Sequence, residues 1–139
     1  MKRYLILATT LAFALPVFAQ KSGPDPKEVK EVTDKAYDFL KTRQKDDGSF
    51  EPARGGPGTT ALIAAALVRL GKPVDDPVVA KSLASVEKSI QKDGGVYSQF
   101  LANYTTSIAI VTFKEANKSG KYDTVIANAS KFLKSLQQG

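Results

Sequence analysis

The sequence has no cysteine, no histidine and no tryptophan. Without cysteine the chain folds without disulfide bonds, and without cysteine and histidine it lacks the two side chains that bind zinc best. The same absences exclude a cysteine nucleophile and a histidine-based catalytic triad. A Gly-Lys-Ser/Thr loop for nucleotide phosphates is also missing. We therefore expect no catalytic residue of these kinds, no bound metal and no cofactor.

Acidic residues are the minority among the charges: there are 14 Asp and Glu against 20 Lys and Arg, a net charge of +6. The lysines are spread along the chain and interleaved with acidic residues. This distribution is typical of solvated helix surfaces, whereas a nucleic-acid interface concentrates its cations on one face. We therefore expect no nucleic-acid partner.

The N-terminus has the pattern of a secretory signal peptide. Lys2 and Arg3 precede an apolar stretch at 4–18, which is followed by the small residue Ala19. The stretch is shorter than the roughly 20 residues that a membrane-spanning helix needs, so an uncleaved anchor is the less favoured alternative. The pattern predicts cleavage between Ala19 and Gln20 and a secreted or periplasmic protein.

Residues 20–139 are predicted to form one domain of alternating helix types. A segment from about Pro26 to Gln44 has apolar residues at three- and four-residue steps, and Asp25 followed by proline is a typical helix start. The next segment, about Thr59 to Leu70, is rich in alanine and apolar nearly all round. Such a helix is expected to be buried on all sides.

The same alternation then recurs. Asp76 with Pro77 opens a second one-faced helix, Asn103 is expected to cap an apolar helix at about 104–115, and a last one-faced helix follows Gly120. No segment competes with the two-residue period of a strand. The order amphipathic, buried, amphipathic, buried, amphipathic predicts an all-α fold of about five helices.

An internal repeat underlies the alternation. Residues 58–67 align with residues 104–113 at an offset of 46, and Asp47-Gly48 and Asp93-Gly94 have the same offset. The mature chain then contains about two and a half units. Because a buried helix needs protein on both sides, we expect helical hairpins with one helix on an outer ring and one on an inner ring. An open solenoid is the alternative.

Residues 35–50 resemble the QW repeat of the squalene-hopene cyclase family. Gln44 follows an aromatic-aliphatic pair, and Gly48 and Phe50 then match the family's Gly-x-Trp, with Phe in place of Trp. The resemblance implies an α/α-toroid of the prenyltransferase and squalene-cyclase (terpenoid cyclase) superfamily. A closed toroid needs more hairpins than this chain contains, so we expect a partial member, an incomplete ring of about five helices.

Two further copies of the motif follow. The second keeps Gly94 and Tyr97 but has Ile90 at the Gln position, and the third reaches Gln137 before the chain stops. The repeat residues are structural candidates first. A Gln at a helix end can bond to free backbone groups, glycine permits a tight reversal, and an aromatic ring packs over the junction.

Superfamily members with known chemistry carry it at one end of the barrel, which the resemblance places at the loops 45–58 and 92–103. Exposed helix N-termini at that end favour anions. The candidate ligand mouth consists of Arg54, Thr59, Thr60, Asn103 and Tyr104. Alternatively, Thr59 and Asn103 are helix caps and Arg54 is a solvated loop residue.

The chain departs from the resemblance where catalysis is expected. Asp46-Asp47 and Asp75-Asp76 lack the first Asp of the Asp-x-Asp-Asp motif with which squalene-hopene cyclases protonate their substrate. Protein prenyltransferases have an Asp-x-Cys zinc motif near an inner-helix start, where this chain has Asn103-Tyr104-Thr105. These departures favour a non-catalytic protein.

The sequence therefore predicts an exported, non-catalytic repeat module that acts in binding or assembly. Its expected partners are itself or a further repeat segment, and its expected ligand is a lipid or an acidic glycan. The alternatives are part of a terpenoid cyclase/prenyltransferase-like or polygalacturonate-lyase-like enzyme whose catalytic residues lie outside this chain, and a fragment without independent function. In an incomplete ring, four inner-helix residues are expected to be partly exposed: Ile63, Leu67, Ile110 and Phe113.

Overall fold

A computed structural model describes residues 23–50 and 56–137, and within these ranges the chain is all-helical, as predicted. The signal-like residues 1–19 and Arg54 lie outside the described residues. None of the helices in the described ranges is both long enough and apolar enough to cross a membrane. The five helices are α1 (Pro26–Arg43), α2 (Pro57–Arg69), α3 (Pro77–Glu87), α4 (Ala102–Ala116) and α5 (Asp123–Ser135).

Two helices begin as predicted, on an aspartate followed by a proline. The carboxylate of Asp25 accepts a hydrogen bond from the amide of Lys27 at 2.8 Å. The carboxylate of Asp76 accepts from the amides of Val78 and Val79 at 3.0 and 3.2 Å. These side chains satisfy amides that a helix start leaves free, and proline at the first position costs no helical hydrogen bond.

The other predicted caps are wrong. The residue before α2 is Gly56, so Thr59 lies inside the first turn of that helix. The cap of α4 is Leu101, whose carbonyl accepts from the amide of Thr105 at 2.8 Å. Leu101 has a left-handed backbone, φ 58°, which turns the chain into the helix before Asn103 is reached. Asn103 is therefore already helical.

The helices pack as two rows. α2 and α4 lie side by side and run parallel, because Gly58 faces Thr105 near their starts and Arg69 pairs with Glu115 near their ends. α3 packs on α2, and α5 packs on α4. α1 lies at the edge, and none of its residues is buried. The core residues at the centre include Ala61, Ala64, Leu67, Val79, Val86, Val96, Ala109 and Phe113.

The helices α2 and α4 are buried on some sides only, which corrects the prediction of all-round burial. Leu67 and Phe113, expected to be partly exposed, are 2% and 0% exposed. They belong to the core formed with α3 and α5, where Phe113 stacks on Tyr122 with ring centroids 4.6 Å apart. Ile63 and Ile110 are partly buried, as expected. The exposed large apolar side chains on and next to these two helices are Leu62, Leu70, Leu101, Tyr104 and Val111.

The turn that follows α1 is closed by its own backbone and by α2. The amide of Gly48 donates to the carbonyl of Lys45 at 2.9 Å, and the amide of Lys45 donates to the carbonyl of Ser49 at 3.0 Å. The amide of Phe50, which is buried, donates to the hydroxyl of Thr60 at 3.0 Å. The start of α2 therefore anchors the end of this turn.

The turn that follows α3 has the same hydrogen bonds. The amide of Gly94 donates to the carbonyl of Gln91 at 3.0 Å, and Gln91 donates to Gly95 at 2.8 Å. The amide of Val96 donates to the hydroxyl of Thr106 at 2.9 Å, and this hydroxyl also lies 3.3 Å from the Val96 carbonyl oxygen. The start of α4 therefore anchors this second turn.

Each turn also packs against a helix of the row that contains α3 and α5. Gly48 has φ +85°, and a Cβ atom on it would lie 2.1 Å from the carbonyl oxygen of Lys81 in α3. Gly94 has φ +89°, and a Cβ atom on it would lie 3.0 Å from the carbonyl oxygen of Asn128 in α5. Both positions need glycine for its left-handed backbone and for the missing side chain.

α1 is attached through the partly buried Tyr37 and Leu40, which pack against the core, and through polar contacts with α3. The side-chain amide of Gln44 donates to the carbonyl of Val78 and to the hydroxyl of Ser82, both at 2.9 Å. The hydroxyl of Tyr37 donates to the carboxylate of Asp76 at 2.7 Å. This hydrogen bond, with burial, raises the pKa of Tyr37 to about 12. The contacts fix the edge helix without a buried side chain of its own.

We predict that Gly48→Ala is far more destabilising than Gly71→Ala. Gly71 is also left-handed, with φ +89°, but no atom lies within 4 Å of its Cβ position. Gly71→Ala therefore costs only the backbone penalty of about 1–2 kcal/mol. Gly48→Ala adds the displacement of α3, about 1–3 kcal/mol more. Urea denaturation of both variants measures the difference, and equal losses of stability would show that the turn does not press on α3.

Candidate ligand groove and loop end

A groove of about 620 Å³ runs along α2 and α4 on the side away from the core. Leu62, Ala66 and Arg69 recur at three- and four-residue steps on α2, as Tyr104, Ile108 and Val111 do on α4, so each helix gives one stripe to the wall. Leu62 is 55% exposed. Among the described residues, the lining consists of Leu62, Ala65, Ala66, Arg69, Leu70, Tyr104, Ser107, Ile108 and Val111.

The polar groups of the groove are few. Arg69, the only charged side chain in the lining, donates from two guanidinium nitrogens to one carboxylate oxygen of Glu115, each at 2.8 Å. The hydroxyl of Ser107 donates to the carbonyl of Asn103 at 2.8 Å. The groove is therefore an apolar channel with a cation at the end where α2 and α4 finish.

Of the five residues of the predicted ligand mouth, Arg54 lies outside the described residues, and the other four lie in different surroundings. Tyr104 lines the groove and is exposed. Thr60 is buried, and its hydroxyl accepts from the amide of Phe50. Thr59 is partly buried, and Asn103 is exposed on the first turn of α4.

Five of the six repeat residues, Gln44, Gly48, Phe50, Gly94 and Tyr97, lie at the junctions between the rows. The side-chain amide of Gln44 also donates to the carbonyl of Gly48 at 3.2 Å, and Phe50 is buried. Gly94 rests on α5, as described above. Tyr97 stacks on Phe132 of α5 with ring centroids 5.5 Å apart.

The hydroxyl of Tyr97 and the last repeat residue, Gln137, are more exposed. The hydroxyl of Tyr97 donates to Asp93 at 2.5 Å, which raises the pKa of Tyr97 and lowers the pKa of Asp93. Gln137 is exposed at the end of the described residues, and its backbone amide donates to the carbonyl of Lys134 at 3.2 Å.

A second cluster of ionisable side chains joins α3 to the start of α5. The carboxylate of Glu87 accepts from the amine of Lys121 at 2.7 Å and from the hydroxyl of Tyr122 at 2.6 Å. Burial opposes the charge of Glu87, but the two hydrogen bonds keep its pKa below the ordinary value. In the described part of the chain, no three His, Cys, Asp or Glu residues are placed to hold a metal ion together.

Comparisons of the chain with protein families, with curated proteins and with solved structures found no match. A function must therefore be argued from the groove and from the junctions between helices.

The groove was missed at the sequence level, although its signal was present. Residues 62, 66 and 69 and residues 104, 108 and 111 are stripes that can be read from helical spacing. They were hidden because α2 and α4 are apolar on nearly every side, so no single face stood out. Burial had to be known before the uncovered stripe could be separated from the core.

We predict that Thr106→Val destabilises the protein by about 1–3 kcal/mol, because the buried amide of Val96 loses its partner. Thr105→Val is the matched control. The Thr105 hydroxyl is equally buried but has no hydrogen-bond partner in the described part of the chain. Its removal is expected to be neutral or stabilising. Thermal and urea unfolding of both variants test this, and equal effects would contradict the assigned role of Thr106.

Proposed function

We propose that this chain is an exported, non-catalytic repeat module of the prenyltransferase and squalene-cyclase type that binds an elongated apolar ligand. The observation that carries the proposal is the apolar groove shared by α2 and α4. Ligand pockets are mostly apolar, with few polar groups that fix orientation. The groove has this composition.

The repeat organisation is supported by the two matching turns. Gly48 and Gly94, both left-handed, lie 46 residues apart. Thr60 and Thr106, whose hydroxyls accept the last amide of each turn, have the same spacing. We assign α2 and α4 to an inner row and α1, α3 and α5 to an outer row. The chain is then an arc of an α/α-toroid, and the groove lies on the inner surface of that arc.

The lining favours a lipid over an acidic glycan. A glycan would need several hydrogen-bond donors along its length. In this lining the charged or hydroxylated side chains are Arg69, Tyr104 and Ser107, and Ser107 already donates within α4. A single hydrocarbon chain along the groove would place an anionic head group beside Arg69, where it would compete with Glu115.

A non-catalytic role is supported by the carboxylates of three aspartates, which accept hydrogen bonds from backbone amides. Asp76 caps α3, and Asp47 and Asp93 accept the amides of Ser49 and Gly95 inside the two turns. The pKa of Asp47 is lowered mainly by the hydroxyl of Ser49 and that of Asp93 mainly by the hydroxyl of Tyr97, and in each case the amide hydrogen bond lowers it further. These groups are committed to structure, and none of the described lining residues is acidic.

Export predicts a processed N-terminus. The protein produced in a secreting host is expected to begin at Gln20, because a signal peptidase cleaves after a small residue that follows the apolar stretch. Intact mass spectrometry of the exported and the cytosolic fractions measures this. A soluble protein that keeps Met1 in the cytosol would reject the export part of the proposal.

Ligand binding is tested with parinaric acid, a fluorescent fatty acid, and its uncharged methyl ester. Both should bind to the wild type, with the acid favoured by the nearby Arg69. Leu62→Glu should weaken both by at least about tenfold, because it places a charge in the apolar wall. Fluorescence titration gives the dissociation constants.

The controls separate the groove from general surface charge. Ala84→Glu adds the same charge at an exposed position of α3 and should leave binding unchanged. Arg69→Gln should remove the preference for the acid and leave the ester unaffected. Equal binding by the wild type and Leu62→Glu, or no binding to the wild type, would overturn the lipid proposal.

A further inference from the structure

The two helices of the inner row meet through specific faces. On α2 the contact face contains Gly58, Ala61 and Ala65, and on α4 it contains residues such as Thr105 and Thr112. The hydroxyl of Thr112 donates to the carbonyl of Ala61 at 2.8 Å. A Cβ atom on Gly58 would lie 3.6 Å from the ring of Tyr104, one edge of which therefore already faces α2, and 3.7 Å from the side chain of Thr105. Small residues thus let α2 and α4 approach closely.

The equivalent faces at the two ends of the row are uncovered. The positions of α2 that correspond to the contact face of α4 are partly or fully exposed: Thr59, Ile63, Ala66 and Leu70. The positions of α4 that correspond to the contact face of α2 are all exposed: Tyr104, Ser107, Val111 and Lys114. Each end therefore presents one half of an interface that the chain already forms once internally.

The outer row ends in the same way. Val78 of α3 is 3% exposed, and Gln44 from the preceding unit lies against its carbonyl. The corresponding residue of α1, Val32, is 67% exposed, and Ala36, which corresponds to Ser82, is exposed as well. At the other end Leu136 follows α5 as Gln44 follows α1, and Leu136 is exposed.

We propose that a second copy of this chain covers these faces, so that copies associate head to tail. The inference rests on the repeat organisation assigned above. The head face consists of Val32, Ala36, Thr59, Ile63, Ala66 and Leu70. The tail face consists of Tyr104, Ser107, Val111, Lys114 and Leu136. The tail face of one copy packs on the head face of the next and continues both rows of helices.

The chemistry of the two faces is complementary. Where Gln44 meets the polar Ser82 inside the chain, Leu136 meets the apolar Ala36 and Val32 of the next copy. Within one copy Arg69 at the end of α2 pairs with Glu115 at the end of α4. Continuing the row brings Glu115 of one copy next to Arg69 of the following one, so these two charges alternate along the row.

The contact between copies is bulkier than the internal one. Tyr104 and Val111 take the places of Gly58 and Ala65, so the inner helices of neighbouring copies lie further apart than α2 and α4 do. The interface is heterologous, because each contact joins the tail face of one copy to the head face of another. Such contacts produce rings or open chains, unlike a symmetric dimer, which uses the same patch twice.

The test uses two variants of the full chain, each with one charge added to one end face. Their association is measured by sedimentation velocity without added lipid. The tail variant is Val111→Glu, at a position 40% exposed, and the head variant is Val32→Glu. Each alone should weaken self-association at least tenfold. An equimolar mixture should form one-to-one pairs, because the intact tail of Val32→Glu binds the intact head of Val111→Glu and the pair cannot grow.

Other interfaces give different results. A symmetric interface through α4 would be lost in Val111→Glu, unaffected in Val32→Glu, and not restored by mixing. Leu62→Glu changes neither end face, so the head-to-tail model predicts that it associates like the wild type. If the copies instead associated through the groove, Leu62→Glu would lose association. A wild-type monomer at high concentration, or a mixture that stays monomeric, would also overturn the inference. Circular dichroism of each variant controls for folding, and Ala84→Glu controls for added charge.

The outcome is separable from that of the proposed function. Parinaric acid binding is measured on dilute protein and reports on the groove alone. A chain that binds the fatty acid but stays monomeric loses only the head-to-tail inference. A chain that assembles as described but does not bind the fatty acid loses only the lipid proposal.

Discussion

At Gly48 the chain passes so close to the carbonyl oxygen of Lys81 that no side chain fits between them. Two residues later the amide of Phe50 is bound by the hydroxyl of Thr60. One short turn thus contacts the helix before it, the next outer helix and the inner helix that follows. The distances between these three helices are set by backbone and short side chains, which have little freedom to adjust. The rest of the packing follows from this constraint, and it is imposed again at Gly94.

Once the turns fix the rows, the residues between α2 and α4 must be small. Ala61, Ala65 and Ala109 are nearly or fully buried there, and Thr112 bonds to the backbone of the neighbouring helix. Larger side chains such as Phe113 point to the outer row, where they form the core. The third side of each inner helix has neither neighbour. Its apolar residues form the wall of the groove, so the groove is a consequence of the way the core is built.

The sequence was informative where a single local interaction decides the structure. Asp76 followed by proline starts a helix in almost any surroundings, and the alternation of one-faced and apolar segments predicted the all-α class. Prediction failed where tertiary packing decides. Asn103 has the composition of a cap, but the left-handed Leu101 begins α4 earlier. Leu67 and Phe113 were expected to be partly exposed because an apolar helix does not reveal which of its sides meets the outer row.

The groove and the two end faces are not independent surfaces. Leu70 and Val111 line the groove, and they also belong to the head face and the tail face. A ligand that contacts them changes the apolar area available to a neighbouring copy, and a neighbouring copy changes the wall available to the ligand. The two proposals together therefore require a coupling free energy between lipid binding and association, and linkage makes it equal in both directions. The helices α2 and α4 are packed on only two of their three apolar sides. Because the ligand and the neighbouring copy contact shared residues, lipid binding and association are coupled without any change of fold.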